Sequence, residues 1–385
     1  MSLPTLDTLI DERHVVLCVG CGGVGKTTVA AALALAGARR GKRVLCLTID
    51  PARRLANSLG LDRMTGEAQR VEPALFQRAG LEVQGSLTVM MLDTKRTFDE
   101  LVTRHASTPA ARDKILENRL YQYVSTSLAG TQEYMAMEKL LSVKQDDHYD
   151  LIVLDTPPTS NALDFLDAPE RITEAIDSAA MRWFIQAFES SGKFSLNLVA
   201  KSVALVLRGI GKLTGGGFLE QMAEFITELN DLFGGFKTRA AEVAKAFRSQ
   251  EFAYVLVTSP APMAIREVLF FAERLHEQGM ARDAFVVNRV HRAPRSIATE
   301  SEVEAALSQH DIRLGPDAPA RLVRAVSEEQ RLAELDRSHL SRLEGALANN
   351  PDGSTPTRVN IPALPSDVHD ISTLAGISRL LAPGS

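Results

Sequence analysis

Short apolar runs that end at glycine or polar residues recur along the chain, and they predict the strands of a parallel sheet. The first run, His14–Val19, stops at the glycine cluster Gly20–Gly25, and an alanine-rich helical stretch follows from Lys26 to about Arg40. A second apolar run, Val44–Ile49, completes a strand–loop–helix–strand order that is typical of a βαβ unit. Because helices must cover both faces of such a sheet, the pattern predicts a doubly wound α/β fold. Further strands are predicted at Ser86–Leu92, Leu151–Leu154, Tyr254–Thr258, Phe285–Val290 and Arg358–Ile361.

Two long spans carry helical rather than strand periodicity, and they predict an inserted all-helical subdomain. In the second span, apolar residues recur at spacings of three and four along Leu196–Leu213 and Phe218–Leu232, the pattern of amphipathic helices. These stripes either pack inside the protein or line a groove for an apolar helix of another protein. The predicted division places residues 95–145 and 168–249 in the helical subdomain, and residues 1–94, 146–167 and 250–385 in the sheet domain.

Composition and charge narrow the class of protein. The chain has 385 residues, 45% of them hydrophobic, and a net charge of −5, so a nucleic-acid partner is not expected. The sequence contains no run of about 18 uncharged apolar residues, so no transmembrane helix is expected. The acidic N-terminus lacks the apolar core of a signal peptide. The three cysteines, Cys18, Cys21 and Cys46, lie near the N-terminus, which favours a reducing cytoplasm over a disulfide scaffold or a structural zinc site.

The glycine cluster after the first strand fits the phosphate-loop pattern G-x-x-x-x-G-K-[ST] in full, with a strand before it and a helix after it. Glycines let the backbone amides curl around phosphate oxygens, and the helix N-terminus adds partial positive charge. Lys26 can reach the terminal phosphates, and the hydroxyl of Thr27 can bind Mg²⁺. The alternative is a glycine-rich turn without a ligand. The motif predicts ATP binding by Gly22, Gly23, Val24, Gly25, Lys26 and Thr27, with Lys26 also acting in catalysis.

Polar residues follow three of the other predicted strands, at the edge where ligands bind in such sheets. Asp50 could orient the attacking water and contribute to a Mg²⁺ site, although an Asp before Pro is also a common helix start. Asp155 follows four apolar residues, which is typical of a carboxylate that holds Mg²⁺ through a water, or of a capped turn. Asn288 can bind a purine edge through its amide, but from this pattern alone it is a loop residue.

Together these motifs resemble one family, that of the arsenite-pump ATPase (ArsA) and the guided-entry ATPase that delivers tail-anchored membrane proteins. The resemblance implies a P-loop NTPase fold with an inserted helical subdomain. It also implies a dimeric ATPase that uses ATP and Mg²⁺ and whose helical subdomain binds hydrophobic client helices. It rests on five motifs in family order: Gly22–Thr28, Asp50-Pro51-Ala52, Asp155–Thr159, Val287-Asn288 and Ile361–Pro365.

The resemblance implies roles for single residues as well. Asp50 would position the attacking water, and Asp155 would be the switch carboxylate near Mg²⁺. Thr28 would touch the α-phosphate. Asn288 would bind adenine, and the segment around Pro362 would line the base.

The chain departs from the family pattern in its phosphate loop. Cys21 stands where the family usually has a second lysine, which reaches the partner's phosphates, so slow hydrolysis is expected. Arg53 is a candidate to supply the missing charge, and it is otherwise a surface arginine. A thiol beside a helix N-terminus and Lys26 is expected to have a lowered pKa. Cys21 would then be either redox-sensitive or simply a small residue that fits the loop.

The zinc-binding cysteine pair of eukaryotic guided-entry dimers and the second ATPase half of the arsenite pump are not found in this sequence. Arsenite handling is therefore not expected, and any dimer would be held by protein surface and nucleotide, as a homodimer or as a heterodimer with a paralogue. Two other hypotheses stay open: a positioning ATPase of the MinD or ParA type, and a weakly active regulatory ATPase that pairs with a paralogue. Residues 367–385 contain one basic residue, Arg379, which disfavours the membrane or DNA binding typical of the MinD and ParA type.

Overall fold

The computed structural model describes residues 5–49, 64–118, 131–156, 162–178, 237–347 and 353–384, together with residues 55–56, 59, 61, 121–122, 125, 235 and 350. Asp50, Arg53 and the two apolar stripes Leu196–Leu213 and Phe218–Leu232 lie outside the described residues. Across the described ranges, no helix combines the length and the apolar character that crossing a bilayer requires.

The described strands form one sheet of eight. They are β1 Val15–Val19, β2 Arg43–Thr48, β3 Gln69–Arg70, β4 Ser86–Met91, β5 Leu151–Asp155, β6 Phe252–Thr258, β7 Ala284–Val290 and β8 Thr357–Pro362. Their order is β3-β4-β2-β5-β1-β6-β7-β8. β1 pairs in parallel with β5 and β6, β2 with β5, β6 with β7 and β7 with β8, whereas β3 and β4 are antiparallel. All seven predicted strands are present, and the predicted α/β class is confirmed.

The described helices lie before, between and after these strands along the chain. They are α1 Asp7–Glu12, α2 Lys26–Arg39, α3 Pro73–Arg78, α4 Thr94–His105, α5 Pro109–Glu117, α6 Thr131–Gln145, α7 Ala162–Asp177, α8 Pro262–Glu277, α9 Glu300–Gln309, α10 Ala318–Leu340 and α11 Ile371–Leu381, and a 3-10 helix covers Ser341–Leu347. Residues 237–247 are helical as well. The helix α7 begins at Ala162, before the expected start of the second helical span at Ala168. Pro169 lies inside this helix.

Both faces of the central strand are buried. Val16 and Cys18 belong to a core that they share with α2 and α11, and Leu17, on the opposite face, is equally inaccessible. The helix α2 packs tightly on the sheet because it is built of small residues. A Cβ atom added to Gly37 would lie 2.7 Å from the side chain of Leu151 on β5, so a larger residue here would force that side chain to shift. The close packing holds the start of α2 firmly at the end of β1.

The chain divides into two compact units. A sheet unit comprises Met1–Met90, Tyr149–Ala162 and Gln250–Ser385, and a helical unit comprises Met91–His148 and Leu163–Ser249. Inside the helical unit, the buried side chains of Arg239 and Glu138 form an ion pair at 2.8 Å. A buried pair of this kind is costly to break, because removing one partner leaves the other charge uncompensated.

Candidate functional site

The loop between β1 and α2 needs glycine at two positions for different reasons. At Gly20, a Cβ atom would lie 2.1 Å from the carbonyl oxygen of Val257 on β6. Gly25 has a φ of 98°, which L side chains rarely adopt, and a Cβ atom there would lie 2.3 Å from Nδ2 of Asn288. The loop therefore packs closely against β6 and β7. This leaves its backbone near the N-terminus of α2, where anions bind favourably.

The lysine that the sequence predicts as a phosphate ligand is hydrogen-bonded to this loop. Lys26 is the first residue of α2 and is buried, with 6% of its surface exposed. Its Nζ donates a hydrogen bond of 3.0 Å to the carbonyl oxygen of Cys21. The ammonium group therefore lies across the phosphate loop, where it provides positive charge to the loop interior.

Asp155 is the polar centre of the site. Its carboxylate is fully buried and accepts hydrogen bonds from the hydroxyls of Thr27 at 2.8 Å and Thr48 at 3.0 Å. In the sheet register Asp155 lies beside Cys18 and Thr48, so the ends of β1, β2 and β5 meet at this carboxylate. A hydroxyl and a carboxylate oxygen at this distance are hard oxygen ligands of the kind that Mg²⁺ prefers. The donor set at Thr27 and Asp155 therefore fits the predicted metal.

Thr48 and Thr156 were not singled out in the sequence. Thr156 follows Asp155 and binds the end of β1 twice: its amide and its hydroxyl both donate to the carbonyl oxygen of Cys18, at 3.3 and 2.8 Å. The available signal for Thr48 was a polar side chain at the end of an apolar strand, the same pattern that singled out Asp155.

Asn288 binds the phosphate loop directly. Its Nδ2 donates to the carbonyl oxygen of Val24 at 2.9 Å, and its Oδ1 accepts the amide of Arg289 at the same distance. The side chain is therefore a brace between β7 and the loop, and its contact with adenine stays a prediction. Pro362 ends β8 opposite Val290, close to Asn288 along β7.

Comparison with known proteins agrees with this geometry. The family model described as an anion-transporting ATPase (ArsA ATPase) matches residues 13–306, which include the phosphate loop, Asp155 and Asn288. The chain belongs to the ArsA ATPase family. The predicted resemblance is thus confirmed, and the β8 segment with Pro362 lies outside the matched residues.

Among the curated relatives of this ArsA-family chain are three fungal proteins named ATPase GET3. The protein from Malassezia globosa is 26% identical over 243 residues, which is 60% of this chain and 63% of the relative. The protein from Mycosarcoma maydis is 26% identical over 241 residues, with the same coverage. The protein from Chaetomium globosum is 24% identical over 290 residues, or 74% of this chain and 76% of the relative. The chain thus spans less than two thirds of the length of the first two.

The expectation of a lowered pKa at Cys21 was wrong. Burial raises the pKa of the Cys21 thiol, and the negative charge of Glu267 on α8, to which the thiol is hydrogen-bonded, raises it further. The ammonium of Lys26 acts in the opposite direction but does not outweigh these effects. In this member of the ArsA family, the position of the second lysine therefore holds a neutral thiol paired with a carboxylate.

Cys18 and Cys21 have the spacing Cys-x-x-Cys, so the expectation that no two cysteines form such a pair, one ground for excluding a structural zinc site, was wrong. All three cysteines are free thiols. Burial raises the pKa of Cys18 well above its ordinary value, and Asp155 and Cys46 raise it further. Burial also raises the pKa of Cys46. No group of three or more potential metal ligands of the His, Cys, Asp and Glu type occurs among the described residues. Cys18 and Cys46 are buried in the core, whereas Cys21 is partly exposed.

Two predicted features of the site lie outside the described residues, namely Asp50 with Arg53 and the segment Pro157–Thr159. The neighbour of Asp50 is described. The amide of Ile49 donates a hydrogen bond of 3.2 Å to the carbonyl oxygen of Asp155. Ile49, which follows β2, therefore lies beside Asp155 at the end of β5.

Proposed function

We propose that this chain is a Mg²⁺-dependent ATPase that binds ATP at Gly20–Thr28 and hydrolyses it. The observation that carries this proposal is the hydrogen bond between the Thr27 hydroxyl and the buried Asp155 carboxylate, which joins the phosphate loop to the end of β5. A site of this kind needs little covalent chemistry from the protein, because phosphoryl transfer depends chiefly on positioning and on charge stabilisation.

Each residue of the loop would have a separate task. Thr27 and Asp155 would hold Mg²⁺, the carboxylate through a water, and the bound metal would neutralise charge on the phosphate oxygens. Lys26 would leave the carbonyl of Cys21 and contact the terminal phosphates. Thr28 would contact the α-phosphate. Asp50 would orient the attacking water.

The first test is hydrolysis itself. We expect slow, Mg²⁺-dependent release of phosphate by the wild type, and loss of this activity in Lys26→Ala and in Asp50→Asn. ATP affinity should fall strongly in Lys26→Ala and change little in Asp50→Asn, because the aspartate would act on water rather than on bound nucleotide. Retention of full activity in both variants would overturn the proposal.

We also propose that the working form is a dimer, and that nucleotide state controls a helical subdomain that binds hydrophobic helices. Membership of the ArsA family supports this extension. Two large apolar side chains, Met263 and Phe270, are 60% and 58% exposed on α8 and flank Glu267, which is hydrogen-bonded to Cys21. Because α8 belongs to the sheet unit, this exposed apolar pair supports the dimer and not the client site. Sedimentation with ADP and with a non-hydrolysable ATP analogue tests the dimer. Nucleotide-dependent protection of an apolar helix from aggregation tests the client.

A second candidate is a weakly active regulatory ATPase that pairs with a paralogue. The pair of Cys21 and Glu267 favours it, because a thiol and a carboxylate stand where a lysine would stabilise the partner's phosphates. If the purified protein binds ATP but shows no turnover above Asp50→Asn, and a lysine-bearing paralogue restores turnover, the regulatory role replaces the first proposal.

A further inference from the structure

The sheet unit contains a second polar cavity, away from the phosphate loop. The helix α10 and the 3-10 helix after it lie over the ends of β7 and β8 and enclose a cavity of about 200 Å³. Its polar lining comes from the side chains of His291, Asp336, Arg337, Glu344, Arg358 and Asn360. None of the phosphate-loop residues lines it.

The cavity lies on the opposite face of the sheet from α2. Val359 and Ile361 of β8 belong to the core shared with α2 and α11. Because side chains alternate along a strand, Arg358 and Asn360 point to the other face, where α10 lies. The cavity is therefore a separate site and not an extension of the predicted nucleotide pocket.

One side of the cavity is fixed by a pair of hydrogen bonds. The carboxylate of Asp336, which is largely buried, accepts the backbone amide of His291 at 2.8 Å and lies 2.9 Å from Nδ1 of the same residue. Since an ionised carboxylate only accepts hydrogen bonds, Nδ1 carries the proton, and Nε2 is the ring atom left for another partner. Both contacts with His291 use the same carboxylate oxygen of Asp336, Oδ2.

The other side supplies positive charge. The guanidinium of Arg358 is half-buried, donates through Nε to Oδ1 of Asn360 at 3.2 Å, and keeps its terminal nitrogens for another acceptor. Burial lowers the pKa of Arg358, and the carboxylate of Glu344 offsets only part of that effect. Arg337 on α10 forms no ion pair with any of the described residues. A desolvated guanidinium with incomplete charge compensation favours an anion.

We propose that this cavity binds a small anion that carries a carboxylate or phosphate group, held by Arg358 and Arg337 with Nε2 of His291 at its side. Planar guanidinium groups bind both kinds of oxyanion in a bidentate manner. The volume is below the roughly 300–1,000 Å³ of pockets for drug-sized ligands, so the ligand is a small molecule rather than a nucleotide. Glu344 is exposed, so solvent screens part of its negative charge.

The test is a calorimetric titration with inorganic phosphate and with succinate, in the background of Lys26→Ala so that the phosphate loop does not compete. We expect saturable binding of at least one anion in the millimolar range or tighter. Phosphate alone would identify a phosphate ligand and succinate alone a carboxylate ligand. Saturation by neither anion would overturn the proposal.

Variants locate the binding. Arg358→Gln should weaken it about tenfold or more, the scale of one lost charge-assisted pair. Arg337→Gln, at an exposed position, should weaken it as well. Arg331→Gln, exposed on the same helix outside the cavity, is the matched control and should change nothing. Equal affinity in Arg337→Gln and Arg331→Gln would contradict the site, even if Arg358→Gln fails to fold.

Discussion

The hydroxyl of Thr27 donates a hydrogen bond of 2.8 Å to the buried carboxylate of Asp155. This contact joins the first turn of α2 to the end of β5. It brings together two motifs that lie far apart in the sequence. A metal ion between a nucleotide and this pair would have its oxygen ligands in place before the nucleotide arrives, which reduces the reorganisation needed for catalysis.

Asp155→Asn should lower kcat for ATP hydrolysis about 10- to 100-fold, because an amide supports a metal-bound water less well than a carboxylate. Steady-state phosphate release at several Mg²⁺ concentrations measures this. Thr48→Val is the control, since it removes one hydrogen bond to Asp155 but no proposed metal ligand. It should lower the free energy of unfolding by about 1 kcal/mol and change kcat less. An effect of Thr48→Val equal to that of Asp155→Asn would contradict the metal role.

Gly25→Ala should disrupt nucleotide binding more than Gly23→Ala. Both glycines have positive φ, 98° and 78°, so each alanine carries a backbone strain of about 1–2 kcal/mol. Only at position 25 would the added methyl group meet Nδ2 of Asn288, whereas the space at position 23 is open. Thermal unfolding and ATP affinity, measured for both variants, separate the two effects. Equal losses of affinity would show that the brace from Asn288 has no role.

Glu267→Gln should make Cys21 react faster with iodoacetamide near neutral pH. Burial and the carboxylate of Glu267 raise the pKa of this thiol, so little thiolate is present at pH 7. Removing the charge lowers the pKa of the thiol and increases the thiolate fraction, so the rate of alkylation rises. Mass spectrometry of each cysteine measures the rate, and the buried Cys18 and Cys46 serve as internal controls. An unchanged rate would mean that burial alone protects the thiol.

Asp150→Asn should flatten the acid unfolding of the sheet unit between pH 4 and pH 2. Hydrogen bonds from the side chain and amide of Arg43 lower the pKa of Asp150 to about 2. A carboxyl group with a pKa of about 3.9 in the unfolded chain therefore stabilises the fold fully above that pH, and this contribution is lost as the pH falls towards 2. Because both side chains are substantially exposed, the contribution is below about 1 kcal/mol. Circular dichroism during acid titration measures it.

The strands of the sheet could be predicted only in part from sequence. Long apolar runs such as Tyr254–Thr258 could be predicted as strands. A strand that is buried on both faces has apolar side chains on both, so its sequence is a continuous apolar run. The strand β3, Gln69–Arg70, has two polar residues and is held by pairing with β4, so no local pattern could reveal it. The start of α7 at Ala162, ahead of the expected Ala168, was also missed.

The phosphate loop was predictable because its residues are consecutive in the sequence. The contacts between distant segments of the chain were less predictable. The glycines and Lys26 follow from one continuous motif. The brace from Asn288 to Val24 and the pair of Cys21 with Glu267 depend on tertiary contacts between segments far apart in the chain. The pKa of Cys21 was mispredicted for this reason: the helix N-terminus is visible in the sequence, but the burial of the thiol and its contact with Glu267, which both raise the pKa, are not.

The brace from Asn288 has a consequence for synthesis of the protein. Val24 and Asn288 are 264 residues apart, and Thr27 and Asp155 are 128 apart. Contacts of such long sequence separation form late, after the loop entropy between them has been overcome. On the ribosome, the phosphate loop emerges early and waits for β5, β6 and β7 to flank it. A chain stalled before β7 would carry the complete nucleotide motif and still lack one of the strands that hold it in shape.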